Sequence, residues 1–133
     1  MNLNHVVPIT ALYAAILALL VVALAFPIIR LRFRYRVGLG DGGKEDLQRA
    51  VRAHGNAVEY IPLFLILLAL LEANQGGPNL LHGLGIVFVL ARLSHAWGIH
   101  GSAGTSPGRF IGTVTTFSVI IVLAVANICK VLT

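Results

Sequence analysis

The chain has 133 residues, enough for one modest domain, and 57% of them are hydrophobic while only 11% are charged. Soluble domains carry about 25% charged residues, so this sequence cannot cover a water-exposed surface with polar groups. Its mean hydropathy of +0.87 therefore predicts an integral membrane protein, and it also excludes a disordered chain. The net charge of +5 does not indicate nucleic-acid binding, because the basic residues are concentrated in one short segment between apolar runs.

Metal and disulfide chemistry are not expected. The single cysteine, Cys129, permits no internal disulfide and cannot complete a structural zinc site. The five histidines form no H-x-x-x-H pair on a common helix face. The sequence therefore predicts no metal cofactor.

The first apolar segment, residues 6–29, contains 24 residues without a charge. As a helix it is about 36 Å long, against roughly 30 Å for the hydrocarbon core of a bilayer. A cleaved signal peptide is the alternative interpretation, but no basic residue precedes the run and four arginines follow it. The segment is predicted to be a transmembrane helix.

Three further apolar segments follow, at residues 57–71, 80–99 and 110–129. Two of them contain one charged residue each, Glu59 and Arg92, and connections rich in glycine separate the segments. The sequence therefore predicts one all-α domain over residues 1–133, an integral membrane four-helix bundle. Its helices are expected at about 5–31, 46–73, 79–100 and 107–131.

Basic residues are distributed unequally among the connections. The first connection and its flanks contain most of them, namely Arg30, Arg32, Arg34, Arg36, Lys44 and Arg49. Arg109 adjoins the third connection, whereas the second contains no lysine or arginine. By the positive-inside rule, the first and third connections face the cytoplasm and both termini lie on the non-cytoplasmic side. Lys130 alone argues for the opposite orientation.

Glu59 and Arg92 are the charged side chains inside predicted spans. Each costs a few kcal/mol of insertion free energy, so each requires a partner or a function. Their predicted depths in the membrane allow them to pair directly. An ion pair that only fixes the register of two helices therefore remains one interpretation.

A ligand site is the other interpretation, because further polar residues share the same helix faces. Arg52, Asn56 and Glu59 are spaced i, i+4 and i+7 on the second helix, and Arg92 and His95 are spaced i, i+3 on the third. These five polar groups are expected to converge. Because a guanidinium pairs with a carboxylate through two parallel hydrogen bonds, the expected ligand is a small anion.

Four motifs resemble a known family, the membrane-associated proteins in eicosanoid and glutathione metabolism (MAPEG). The segment RAHGNAVEYIPLFL at residues 52–65 is similar to the second-helix signature of microsomal glutathione transferases and leukotriene C4 synthase. Matching motifs are IRLR at 29–32, RLSH at 92–95 and SPGR at 106–109. The resemblance covers nearly the whole chain.

The resemblance implies a homotrimer that binds glutathione between neighbouring subunits near the cytoplasmic side. By matching position, the glutathione site would contain Arg30, Arg52, Asn56, Glu59, Tyr60, Arg92 and His95. Arg109 would face the thiol and act in catalysis by favouring the thiolate. The implied reaction is conjugation to a lipophilic electrophile, or reduction of a lipid hydroperoxide, with the second substrate entering from membrane lipid.

Three positions depart from the pattern of the specialised members. Gly55 replaces an additional arginine, Ile99 replaces a tyrosine, and Phe110 replaces a serine. The sequence is more similar to the short bacterial branch, which implies a bacterial inner membrane. Two alternatives are a non-catalytic protein of the same fold that binds an anionic or lipid ligand, and a small multidrug-type transporter that uses Glu59. The strong charge bias of the loops argues against the transporter.

Overall fold

The computed structural model describes residues 6–101 and 104–132, and this part of the chain forms four α-helices. They are α1 (Pro8–Tyr35), α2 (Glu45–Ala73), α3 (Pro78–Gly101) and α4 (Pro107–Leu132). Each helix is long and apolar enough to cross a membrane. The predicted all-α four-helix bundle is confirmed.

The end of α1 differs most from its predicted bounds. The helix continues to Tyr35 instead of ending at residue 31, because arginine is a good helix former and no breaker interrupts the basic segment. It ends where Arg36 adopts a left-handed conformation (φ 54°) and donates its backbone N–H to the Arg32 carbonyl. Residue 5, where the helix was expected to begin, lies outside the described residues. The other helices begin and end within one residue of their predicted bounds.

Helices α2 and α3 form the centre of the bundle, and each packs against all three other helices. Within residues 6–101 and 104–132, α1 and α4 make no contact with each other. The core lies between α2 and α3, where the rings of Phe64 and Phe88 stack with centroids 3.8 Å apart. Leu17 of α1 and Leu123 of α4 are fully buried against this core. The bundle is thus held together through α2 and α3.

Helices α3 and α4 approach each other closely through glycine. A Cβ atom at Gly112 would lie 2.7 Å from the carbonyl oxygen of Ala91, and one at Gly98 would lie 2.5 Å from the backbone nitrogen of Arg109. The Ser94 hydroxyl also donates to the Gly108 carbonyl (3.1 Å). Glycine at these positions lets the first turns of α4 lie directly against α3.

Polar bonds fasten α1 to α2 at both ends. The Glu72 carboxylate accepts the backbone N–H groups of Ile9 (2.8 Å) and Thr10 (2.7 Å), which are unsatisfied donors at the start of α1. At the other end, the Tyr35 hydroxyl donates to the Asp46 carboxylate (2.8 Å). Helices α1 and α3 terminate on this side of the bundle, and α2 and α4 begin there. We call this side the basic end.

Candidate functional site

Two polar side chains of α3 are buried in the half of the bundle nearest the basic end. Arg92 is 2% exposed and His95 is 5% exposed. The guanidinium of Arg92 lies over the Tyr60 ring of α2, 5.9 Å from its centroid. This cation–π contact offsets part of the cost of burying the charge, but the Arg92 Nε has no hydrogen-bond partner among the described residues.

Asn56 of α2 carries a second unsatisfied polar atom. Its side-chain oxygen, Oδ1, is buried and has no hydrogen-bond partner in the part of the chain that the structure describes. A buried polar atom without a partner costs about 1–3 kcal/mol of folding free energy. The Arg92 Nε is a donor and the Asn56 Oδ1 is an acceptor, so a ligand with both kinds of group could satisfy them.

Three arginines from three helices contribute positive potential at His95. Arg52 of α2, Arg92 of α3 and Arg109 of α4 all lie within electrostatic range of its ring. We call these three residues the arginine cluster. Like charges repel each other, so the cluster favours a bound anion. All four residues belong to the site that the sequence predicts.

Within the described part of one chain, Glu59 forms no ion pair with the arginine cluster. Its side chain is exposed, and Arg92 contacts the neighbouring residue, Tyr60. Across residues 6–101 and 104–132, the one ion pair joins Arg49 and Glu45 (3.6 Å). Successive helix residues point about 100° apart, so the side of α2 that presents Tyr60 to α3 turns Glu59 outward. The expected ion pair between Glu59 and Arg92 is therefore absent from this chain.

The outward side of α2 carries a continuous stripe of exposed residues. From the basic end its members are Arg52, Glu59, Leu63, Ile66 and Leu70. Their spacing of seven, four, three and four residues is the spacing of a helix-packing seam. A carboxylate at this depth is costly against lipid, so the stripe is expected to face protein or water.

Arg109 is positioned by the start of α4. Its backbone N–H donates to the Ser106 hydroxyl (3.3 Å), and that hydroxyl donates to the Gly98 carbonyl of α3 (3.1 Å). Ser106 is thus the N-cap of α4, and Pro107 occupies the first helical position. The guanidinium of Arg109 donates to the Gly104 carbonyl (2.9 Å). A serine directly before a proline is the sequence signal that predicts such a cap.

A cavity of about 650 Å³ lies beside Arg109 and opens to the surface of the chain. Its lining residues are His95, Thr105, Ser106, Pro107, Arg109, Phe110, Ile111 and Thr113. The cavity joins part of the arginine cluster to an apolar side formed by Phe110 and Ile111, which are both exposed. Such a lining suits an anionic group at one end of a ligand and an apolar group at the other.

Two predicted site residues lie outside this arrangement or at its edge. Arg30 is exposed on α1, and among the described residues no hydrogen bond or ion pair joins it to the arginine cluster. Tyr60 is half-buried and packs edge-to-face on Phe117 of α4, with ring centroids 5.4 Å apart. Tyr60 therefore links α2, α3 and α4, whereas Arg30 stands apart.

The fold and the site together define a four-helix protein of the membrane-spanning type, with a cationic, partly unsatisfied site at one end of the bundle. Residues 10–129 match the model of the MAPEG family, and the chain belongs to that family. It is 40% identical to a protein named inner membrane protein YecN from Escherichia coli K12. The match extends over 120 residues, which are 90% of this chain and 90% of that protein. The protein of the same name from Escherichia coli O6:H1 matches to the same extent.

Proposed function

We propose that the protein is a glutathione-dependent membrane transferase or peroxidase that acts on lipophilic electrophiles or hydroperoxides. The observation that carries the proposal is the pair of buried, unpartnered atoms, Asn56 Oδ1 and Arg92 Nε, beside the arginine cluster. Buried polar atoms are normally satisfied, so a donor and an acceptor without protein partners at a cationic site suit a polar ligand.

The residues present fit the charges of glutathione. It has two carboxylates, which suit Arg52 and Arg92, and an amide-rich backbone, which suits Asn56. Its ammonium group suits the Glu59 carboxylate. Tyr60, His95 and Arg30 are the remaining proposed contacts, and Arg30 would reach the site from a neighbouring subunit.

Assembly as a homotrimer is part of the proposal. The outward stripe of α2 places Arg52 and Glu59 in line with three exposed apolar residues, Leu63, Ile66 and Leu70. A second copy of the chain on this stripe would shield Glu59 from lipid and bury the apolar residues. The glutathione site would then lie between subunits, in agreement with the exposure of Glu59 in the single chain.

Arg109 is the proposed catalytic residue. Bound glutathione would supply a thiolate nucleophile, and a guanidinium near the sulfur favours that thiolate over the thiol. Phe110 and Ile111, on the apolar side of the Arg109 cavity, would receive a lipophilic second substrate from the bilayer. The name of the relatives supports an inner-membrane location, and the charge bias of the connections favours a cytoplasmic basic end.

Calorimetric titration of the detergent-purified protein with glutathione tests the proposal. We expect saturable binding in the millimolar range or below, weakened at least about tenfold in Arg52→Gln because a charge-assisted contact is lost. Arg49→Gln is the matched control, since Arg49 loses the same charge on the same helix but pairs with Glu45. The proposal fails if millimolar glutathione gives no binding heat, or if both variants weaken binding equally.

A non-catalytic protein that binds the same ligand is the second candidate. It is favoured by the contact of the Arg109 guanidinium with the Gly104 carbonyl, which engages the group that catalysis requires. Turnover of a chlorinated aromatic and of a lipid hydroperoxide separates the two candidates. Binding of glutathione without turnover of either compound would establish the non-catalytic candidate.

A further inference from the structure

The basic segment at the end of α1 has two faces. Residues two apart on a helix point about 200° apart, so Arg30 and Arg34 share one side of α1 while Arg32 lies on the other. Arg36 follows the helix and lies on the same side as Arg32, since both line one groove. Arg30 belongs to the proposed glutathione site. The side that carries Arg32 and Arg36 has no part in the proposed function.

A groove of about 400 Å³ lies on this second side. Its lining residues are Ile29, Arg32, Phe33, Arg36, Val37 and Gly38. Arg32 shapes the groove, because its guanidinium donates to the Val37 carbonyl (3.3 Å) and the Gly40 carbonyl (2.9 Å) and folds the chain back after α1. One part of the groove is therefore polar and held in place by hydrogen bonds, and the other part is apolar.

The depth of the groove matches the boundary of a bilayer. From Pro8 to Ile29, α1 rises about 31 Å, which is the thickness of a hydrocarbon core. Arg36 follows about 10 Å further along, in the layer that phospholipid head groups occupy. Phe33, which is 81% exposed, lies between these two levels. In a bilayer aligned with α1 in this way, the groove would begin in hydrocarbon and end among phosphates.

We propose that this groove binds one anionic phospholipid. The phosphate would contact the Arg36 guanidinium, together with the positive charge of Arg32, because a guanidinium fork matches phosphate oxygens. The first part of an acyl chain would lie against Ile29 and Phe33. The apolar part of the groove continues into the membrane-facing side of α1, and this favours a lipid over free phosphate.

The test uses the full-length protein in detergent, titrated with phosphatidylglycerol or with zwitterionic phosphatidylcholine, and native mass spectrometry counts the bound lipids. We expect one phosphatidylglycerol per chain to be retained in preference to phosphatidylcholine. Arg36→Gln should weaken this retention about fivefold, as expected for one surface arginine. Arg34→Gln is the matched control, because it removes the same charge from the opposite side of α1.

Three results would overturn the proposal. Equal retention of the two lipids would exclude recognition of a negative head group, and equal weakening by Arg36→Gln and Arg34→Gln would show diffuse attraction without a defined site. Displacement of the lipid by millimolar inorganic phosphate would identify the occupant as a free anion. The melting temperature of each variant without lipid shows that the variants are folded. None of these results depends on glutathione binding, so the proposed function is tested separately.

Discussion

Replacing Gly112 by alanine tests whether the closeness of α3 and α4 holds the site together. An added Cβ would lie 2.7 Å from the Ala91 oxygen and 2.7 Å from the His95 Cβ. Both distances are about 0.7 Å short of ordinary contact, so α4 must move away from α3 by a similar amount. Overpacking of this kind costs about 1–3 kcal/mol of stability. It would also shift Arg109, one turn earlier on α4, relative to His95.

The assay is equilibrium unfolding in detergent micelles, followed by calorimetric titration with glutathione. Gly83→Ala is the matched control, because Gly83 is also helical but a Cβ there meets nothing within 4 Å. We expect this control to gain about 0.5–1 kcal/mol from the lower entropy of its unfolded chain. If Gly112→Ala were as stable as Gly83→Ala and bound ligand as the wild type does, the close approach would not matter.

Three further predictions concern a cap, the core and the thiol. Glu72→Ala should lower the free energy of unfolding by about 2–3 kcal/mol, because two charge-assisted hydrogen bonds to α1 are lost. Hydrogen exchange at the Ile9 and Thr10 amides should accelerate. Unchanged exchange would refute the role of Glu72 as a cap of α1. Phe64→Ala should lower the free energy of unfolding by about 3–5 kcal/mol, because it leaves a cavity against α3. A decrease below about 1 kcal/mol would contradict the observed stacking. Arg109→Ala should lower the thiolate absorbance of bound glutathione while chemical cross-linking still gives the wild-type oligomer. Unchanged turnover in this variant would refute the assignment of Arg109.

The sequence predicted the helices well because span length and hydropathy are local properties. Apolar runs of 20 residues predicted α3 and α4 nearly to their ends, and a run of 15 residues predicted the apolar part of α2. The error in α1 has the same origin, because a charged run marks the end of a membrane span, whereas arginine is a good helix former and continues the helix in water. The residue at which a helix leaves the membrane and the residue at which the helix ends are different positions. The hydropathy pattern of the sequence indicates mainly the first.

The partners of the charged residues were harder to predict. Sequence spacing placed Arg52, Arg92 and His95 near one level, but it could not give the rotation of α2 about its axis. That rotation decides that Tyr60, and not Glu59, contacts Arg92. The role of Glu72 was missed for a related reason, because its partners on α1 are more than 60 residues away in sequence. Long-range contacts of this kind leave no periodic signal.

The two carboxylate contacts of α1 bear on how the protein accommodates its bilayer. Glu72 and Asp46 of one helix hold the two ends of α1, about 39 Å apart, so neither helix can slide past the other without breaking a contact. In a thinner or thicker membrane, α1 cannot adjust its tilt alone. The bundle must tilt as one body, or the surrounding lipid must stretch or compress to match it. We therefore expect the thermal stability of the protein to vary with the acyl-chain length of the host bilayer.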